Sequence, residues 1–112
     1  MEIKKVSFFY KGKEITAHAK VCKSLSSQVL GKMFNLSKRP LLFIFPNEQS
    51  IAIHMLFVFM PLQVIWLDKG MNVTKAKKMR PFISFEEGNA KYILEIPTNF
   101  KENKNVLSYF ND

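Results

Sequence analysis

Residues 51–67 read IAIHMLFVFMPLQVIWL, a run of 17 residues without a formal charge. A membrane-spanning helix needs about 20 apolar residues, so this run falls just short of that length. His54, Pro61 and Gln63 interrupt the run, and β-branched and aromatic side chains dominate it, which favours strands. We therefore predict two buried strands separated at Pro61, and no membrane span.

The sequence before this run predicts a β-hairpin followed by a helix. Apolar and polar residues alternate on both sides of Lys11-Gly12-Lys13, as expected of two strands with one face in water. Ser24 can cap a helix by accepting a backbone N–H of the first turn, and an apolar stripe at helical spacing follows it as far as Phe34. We expect this helix, near residues 24–34, to cover one side of the sheet.

Three further stretches have the length and composition of strands: residues 41–45, 73–79 and 92–96. Pro46-Asn47 is expected to end the first of them, and Glu86-Glu87-Gly88-Asn89 is typical of a solvated turn. Residues 98–112 leave two outcomes open, a flexible tail or a helical turn. The predicted fold is mainly β (α+β), a small antiparallel barrel-like or sandwich-like sheet with one covering helix, in a single domain over residues 1–112.

Composition narrows the class of protein. The chain has 112 residues, 47% of them hydrophobic, and its 17 Lys and Arg against 9 Asp and Glu give a net charge of +8. Such a chain can bury one core and is not disordered. The single cysteine, Cys22, excludes an internal disulfide and hence a disulfide-stapled secreted scaffold. Since the first residues lack the apolar core of a signal peptide, the sequence predicts a cytoplasmic protein.

Four motifs in order resemble the family called domain of unknown function 192, over about residues 20 to 99. They are Leu30-Gly31-Lys32-Met33-Phe34, Leu41-Leu42-Phe43-Ile44-Phe45, Ile53-His54-Met55 with Pro61-Leu62-Gln63-Val64-Ile65-Trp66-Leu67-Asp68, and Arg80-Pro81 with Tyr92-Ile93-Leu94-Glu95-Ile96-Pro97. The resemblance implies a compact, barrel-like β fold with a packed helix, and no particular chemistry, because the family has no established general activity. Family members commonly have Asp where Gln63 stands, so a polar site shared at that motif would be partly lost here.

Polar groups in and beside the apolar run are the candidate ligand-binding residues. A pocket is predicted where His54, Gln63, Trp66 and Arg80 could converge. His54 could donate to a ligand or shuttle a proton, but a catalytic histidine needs a nucleophile or carboxylate in reach, and no nucleophile motif accompanies it. A structural histidine is the alternative. We predict no catalytic residue, no metal site and no cofactor.

The positive charge is concentrated in two places. Residues 1–23 contain six Lys and two Glu, and a basic ribbon at residues 69–80 contains no acid. The cations of this ribbon are Lys69, Lys75, Lys77, Lys78 and Arg80. A Lys-rich ribbon can neutralise phosphates, which makes nucleic acid or an acidic protein surface a candidate partner. Because the cations are mostly Lys and alternate between two faces, a solubilising surface that blocks strand aggregation is the alternative.

Three functions remain open on the sequence. The preferred hypothesis is a non-enzymatic cytosolic β-domain that acts as a binding or accessory module for an unknown ligand. The second is a nucleic-acid or polyanion binder that uses the basic ribbon together with the first hairpin. The third is an enzyme whose residues converge only in the folded chain.

Overall fold

The computed structural model describes residues 2–23, 39–54, 61–80 and 85–111. Six strands build one sheet: β1 (Ile3–Tyr10), β2 (Lys13–Lys23), β3 (Leu41–His54), β4 (Leu62–Leu67), β5 (Val73–Met79) and β6 (Phe85–Pro97). In space they follow the order β1-β2-β3-β6-β4-β5. The predicted mainly β fold is confirmed. The helix predicted near residues 24–34 lies outside the described residues.

One strand pair departs from the predicted antiparallel arrangement. Lys20–Lys23 of β2 run parallel to Leu41–Ile44 of β3, whereas the other neighbouring pairs are antiparallel. A parallel pair requires a connection of about a dozen residues or more, and residues 24–40 supply it. This pair leaves residues 13–19 of β2 without a strand partner on the side away from β1, among the residues that the structure describes.

The predicted β1–β2 hairpin is confirmed, and it lies at one end of the sheet. Lys11 and Gly12 at its tip have φ angles of 50° and 77°. Two left-handed residues form the tight turn whose twist matches that of antiparallel strands. Next to the tip, the N–H of Phe9 donates to the carbonyl of Met71 at 2.9 Å. The sheet therefore curls until β1 reaches the turn that precedes β5, which gives a half-barrel shape.

The inner face of the curled sheet holds one hydrophobic core, which contains residues of β1, β2, β3, β4 and β6. Its buried strand residues are Val6, Phe8, Ile15, Ala17, Ala19, Leu42, Ile65, Leu67, Leu94 and Ile96. Residues 101–110 form a C-terminal helical segment of two 3-10 turns and the short helix α1 (Lys104–Leu107). This segment inserts Val106, Leu107 and Phe110 into the core. Much of the stretch for which a flexible tail was one outcome is thus packed structure.

A second core lies on the outer face of the central strands. Its buried residues are Cys22, Leu41, Phe43, Phe45, Ile51, Leu62, Val64, Trp66, Met79, Ala90 and Ile93. All six residues of β4 are buried because both of its faces carry a core. A strand covered on both faces reads as a continuous apolar run. In the described ranges, no helix is long and apolar enough to cross a membrane.

β3 is longer than the sequence predicts. Pro46-Asn47 do not end it, because the pairing with β6 shifts register between Ile44 and Gln49. Such an irregularity leaves a position where the missing N–H of proline breaks no ladder bond. The chain therefore continues from Leu41 to His54 as one strand.

β6 is also longer, and the predicted turn at Glu86-Glu87-Gly88-Asn89 is wrong. These residues pair with β3, in register with residues 50–53. Gly88 lies against Trp66, where an added Cβ would stand 3.1 Å from the ring carbon Cδ1. Glycine at this position reflects the close approach of a buried ring and not a turn.

Candidate functional site

Two of the predicted pocket residues, His54 and Arg80, lie at opposite ends of β6. The backbone of His54 pairs with Phe85, the first residue of β6, and its side chain lies outside the described part of the structure. Arg80 is exposed and follows β5, at the end where β4 pairs with Pro97, the last residue of β6.

The other two, Gln63 and Trp66, point to opposite faces of β4. Trp66 belongs to the outer core, where its Nε1 donates to the carbonyl of Ile51 at 3.0 Å. Gln63 stands three positions earlier and so faces inward, and its buried Oε1 has no hydrogen-bond partner in the described ranges. Gln63 and Trp66 therefore do not face one pocket, and the backbones of His54 and Arg80 lie beside opposite ends of β6.

The basic ribbon is compensated in part by an acid of its own chain. Lys75 Nζ lies 2.8 Å from one carboxylate oxygen of Glu86, and Lys77 Nζ lies 3.9 Å from the other. Lys75 also lies over the ring of Trp66, 5.4 Å from its centroid. The hydrogen bond from Lys75 is the main cause that lowers the pKa of Glu86. These two cations therefore already face a carboxylate.

The remaining cations of the ribbon are spread over different surfaces. Lys78 lies on the other side of β5, where its Nζ donates to Asn111 Oδ1 at 3.0 Å. Lys69 lies in the β4–β5 turn, and its backbone N–H donates to Glu48 Oε2 at 2.7 Å. The ribbon thus offers no single face on which all five cations meet.

A groove of about 800 Å³ opens beside β2. On the β2 side it is lined by Thr16, Ala17, His18 and Lys20, and on the side of the C-terminal helical segment by Glu102, Asn103, Asn105 and Val106. Arg39 and Pro40 lie at one end of the groove, where the N–H of Lys20 donates to the carbonyl of Pro40 at 2.9 Å, and Ile3 of β1 also lines it. The volume lies within the range of about 300–1,000 Å³ that is usual for ligand pockets.

The charge of this groove is mainly of one sign. Lys20, Arg39 and His18 are basic residue types, whereas Glu102 is the acid in its lining. Sequence reasoning missed this site because Arg39 is distant from β2 along the chain and reaches it through the parallel β2–β3 pair. The one signal in the sequence that pointed to this groove is the polar residues at alternate positions of β2, on the exposed face of the hairpin.

A buried carboxyl is the second unusual feature. Glu95 is 1% exposed, and neither of its oxygens has a hydrogen-bond partner among the described residues. It lies on the outer face between Leu41 of β3 and Val64 of β4. Burial raises the pKa of Glu95 well above its ordinary value of 4.5. The environment therefore favours the neutral acid, which can donate one hydrogen bond.

Cys22 lies on the same face as Glu95 and is a buried thiol that forms no disulfide. Burial is the main cause that raises the pKa of this thiol. A thiol is a poor nucleophile until it loses its proton, so Cys22 is not activated for catalysis. Across the described ranges, no group of three His, Cys, Asp or Glu side chains is placed to hold a metal ion.

Sequence reasoning did not single out Glu95. The signal that could have placed it correctly is its context, because Glu95 is the one charged residue in Tyr92-Ile93-Leu94-Glu95-Ile96-Pro97. Continuous apolar neighbours indicate a strand covered on both faces.

The sequence matches one protein-family model and several curated proteins. The family model for domain of unknown function 192, described as uncharacterized ACR, matches residues 8–108. A UPF0127 protein of Thermococcus sibiricus is 32% identical over 105 residues, which cover 90% of this chain and 64% of that protein. A UPF0127 protein of Pyrococcus horikoshii is 33% identical over 86 residues, covering 74% of this chain and 75% of that protein. The chain thus spans less than two thirds of the Thermococcus relative.

Two solved structures share the fold. A putative transcription regulator from Sinorhizobium meliloti has a TM-score of 0.67 at 13% identity, covering 89% of this chain and 81% of its own. A protein of unknown function from Novosphingobium aromaticivorans has a TM-score of 0.70 at 16% identity, covering 93% of this chain and 79% of its own. The family match over most of the chain, with relatives above 30% identity, settles the membership: this chain belongs to the domain of unknown function 192 family.

Proposed function

We propose that this chain is a non-enzymatic binding module that holds an anionic ligand in the groove beside β2. The observation that carries the proposal is the lining itself, in which the cations Lys20 and Arg39 lie beside His18, and Glu102 is the one acid among the described lining residues. Cations around a recess with low-dielectric walls concentrate anions more strongly than the same cations on an open surface.

The groove is a better candidate than the basic ribbon. Lys75 and Lys77 of the ribbon are already close to Glu86, at 2.8 and 3.9 Å. A ligand at the ribbon would have to compete with this carboxylate for both cations. No ion pair ties up Lys20 within the described residues, so an anion in the groove displaces no acid from it.

Binding, and not catalysis, is also supported by the buried reactive groups. The pKa of Cys22 is raised, which keeps its sulfur protonated. Glu95 has apolar cross-strand neighbours, Leu41 and Val64, and the nucleophile type on its face is Cys22, whose thiol burial keeps protonated.

We place the protein in the cytoplasm. The support is its single cysteine, which is buried and cannot form an internal disulfide, as is usual in a reducing compartment. Fractionation of cells that express the tagged chain tests this, and recovery of the protein outside the cytoplasmic fraction would contradict it.

A charge-reversal pair tests the groove. A fluorescently labelled pentaglutamate peptide is titrated with the protein at low ionic strength, and its anisotropy gives the affinity. We expect Lys20→Glu to weaken binding about ten-fold, since reversing one contact charge changes the binding free energy by about 1–1.5 kcal/mol. Lys69→Glu makes the same change of net charge outside the groove and is expected to weaken binding less than about two-fold. Equal losses in the two variants, or no binding by the wild type, would contradict the proposal.

A further inference from the structure

The backbone of β2 faces the groove with unpaired polar groups. The N–H of Val21 points toward β1 and donates to Glu2, whereas the N–H of Lys20 points the other way and donates to Pro40. Successive residues of a strand direct their backbone groups to opposite sides. His18 and Thr16 therefore direct their N–H and C=O groups away from β1, as Lys20 does.

This side of residues 13–19, the free edge of β2, has no strand partner among the described residues. Both Ala17, which faces inward, and its outward-facing neighbours Thr16 and His18 line the groove. When residues of both faces line one recess, the edge between them also faces that recess. The groove therefore presents alternating backbone donors and acceptors as well as cationic side chains.

We propose that the ligand is an extended acidic peptide segment of a partner protein, which adds as a strand to the free edge of β2. This inference rests on the proposed anion-binding function of the groove and names its partner class. Strand addition uses main-chain hydrogen bonds for affinity and alternate side chains for specificity. Seven residues of free edge accommodate about 23 Å of extended chain.

Charge complementarity selects this occupant over the alternatives. An acidic side chain of the peptide would lie beside His18 and within reach of Lys20, which stands two positions further on, just past the end of the free edge. A second copy of this chain would bring its own net charge of +8 against the groove and is repelled. A nucleic acid would offer phosphates to the cations but no regular main-chain donors and acceptors for Thr16 and His18.

The opposite wall suits a peptide strand as well. Val106 is buried and offers apolar contact, while Asn105 is exposed and carries an amide that can donate and accept hydrogen bonds. A strand that pairs with β2 on one side would rest against this helical segment on the other.

A matched pair of substitutions in the protein tests the backbone contact. Thr16→Pro removes an N–H that points into the groove and leaves the pairing with β1 intact, whereas Thr16→Ala keeps this N–H. The probe is a labelled heptapeptide of alternating glutamate and valine, titrated by fluorescence anisotropy. We expect Thr16→Pro to weaken binding at least ten-fold and Thr16→Ala less than three-fold, with the far-ultraviolet circular dichroism of both unchanged.

A second measurement does not depend on how Thr16→Pro folds. Two versions of the heptapeptide are N-methylated at alternate backbone amides, one set at odd and the other at even positions. Strand addition to one edge predicts that one version loses binding at least ten-fold and the other binds like the parent. Equal behaviour of the two versions would overturn strand addition.

The outcomes separate the two proposals. If the parent heptapeptide and pentaglutamate both fail to bind, the anion-binding function fails and strand addition fails with it. If they bind but the methylated versions behave alike, the groove is an anion site and only strand addition is overturned. Tighter binding of a single-stranded RNA of equal charge, insensitive to Thr16→Pro, would replace the peptide by a nucleic acid and also overturn it.

Discussion

Glu95 is the residue whose environment is least favourable to its usual charge state. An ionised carboxylate moved from water into apolar surroundings loses its hydration, and the effective cost in proteins is several kcal/mol per ion. The side chains of its cross-strand neighbours, Leu41 and Val64, do not offset this cost, because neither has a hydrogen-bond donor. The folded state therefore holds the proton on Glu95 more tightly than the unfolded chain does.

This difference predicts how the stability depends on pH. Because the pKa of Glu95 is raised in the folded state, its contribution is fully favourable below the ordinary carboxyl pKa of 4.5 and is lost as the pH rises through the raised pKa. Glu95→Gln keeps the shape and cannot ionise. In urea unfolding at a series of pH values from about 4 to about 8, the gain in stability of the variant over the wild type should grow with pH. A gain that does not change with pH would show that Glu95 binds protons equally in both states.

Gly88 allows a second test at the residue scale. A Cβ at this position would lie 3.1 Å from the fully buried ring of Trp66 and 3.1 Å from the Cδ of Lys75. Gly88→Ala should cost about 1–3 kcal/mol through overpacking and should shift the emission of Trp66, the single tryptophan. Gly12→Ala, at an open turn position with a φ of 77°, should also destabilise but leave the emission unchanged. An unaltered emission in Gly88→Ala would contradict the close contact.

At the scale of elements, the strands with clear sequence patterns were predictable and the long central ones were not. The hairpin and β5 follow from alternation and turn residues, and β4 follows from its apolar run. β3 and β6 contain the usual strand breakers Pro46 and Gly88, which local reasoning takes as ends. A register shift accommodates the proline and a buried ring requires the glycine, and both causes depend on tertiary contacts.

The candidate site was hidden for the same reason. The groove needs Arg39 and Asn103 beside β2, and the fold joins them through a parallel strand pair and the C-terminal helical segment. Gln63 and Trp66 are close in sequence and were predicted to converge, but a spacing of three positions on a strand separates them onto two faces. The sequence shows the chemistry of each side chain, but it does not show which side chains the fold places next to it.

The C-terminal helical segment provides a prediction at the element scale. Phe110 is buried and stacks on Tyr10, with the ring centroids 4.7 Å apart, whereas the preceding Tyr109 is 43% exposed. Phe110→Ala should lower the free energy of unfolding by about 3–5 kcal/mol, as other buried phenylalanine truncations do. Tyr109→Ala, the matched surface truncation, should change it by less than about 1 kcal/mol. Denaturant unfolding measures both, and similar values would show that the segment does not close the inner core.

At the scale of the whole molecule, the cations behind the net charge of +8 differ in how readily they can contact an anionic ligand. In the ribbon, Lys75 and Lys77 share Glu86, and Lys78 lies on the other face. Near the hairpin, Lys20 and Arg39 line the same groove, and the free edge of β2 faces it too. The surplus charge therefore acts where shape and backbone groups add to it, which is the central claim for the groove.

Chemical-shift mapping tests that claim most directly. The ¹⁵N-labelled protein is titrated with the glutamate–valine heptapeptide, and the amide shifts are followed residue by residue. We predict the largest changes at Thr16, His18 and Lys20, with smaller ones at Asn105, and little change at Lys77 in the ribbon. Shifts concentrated on β5, with the amides of β2 unmoved, would contradict the account.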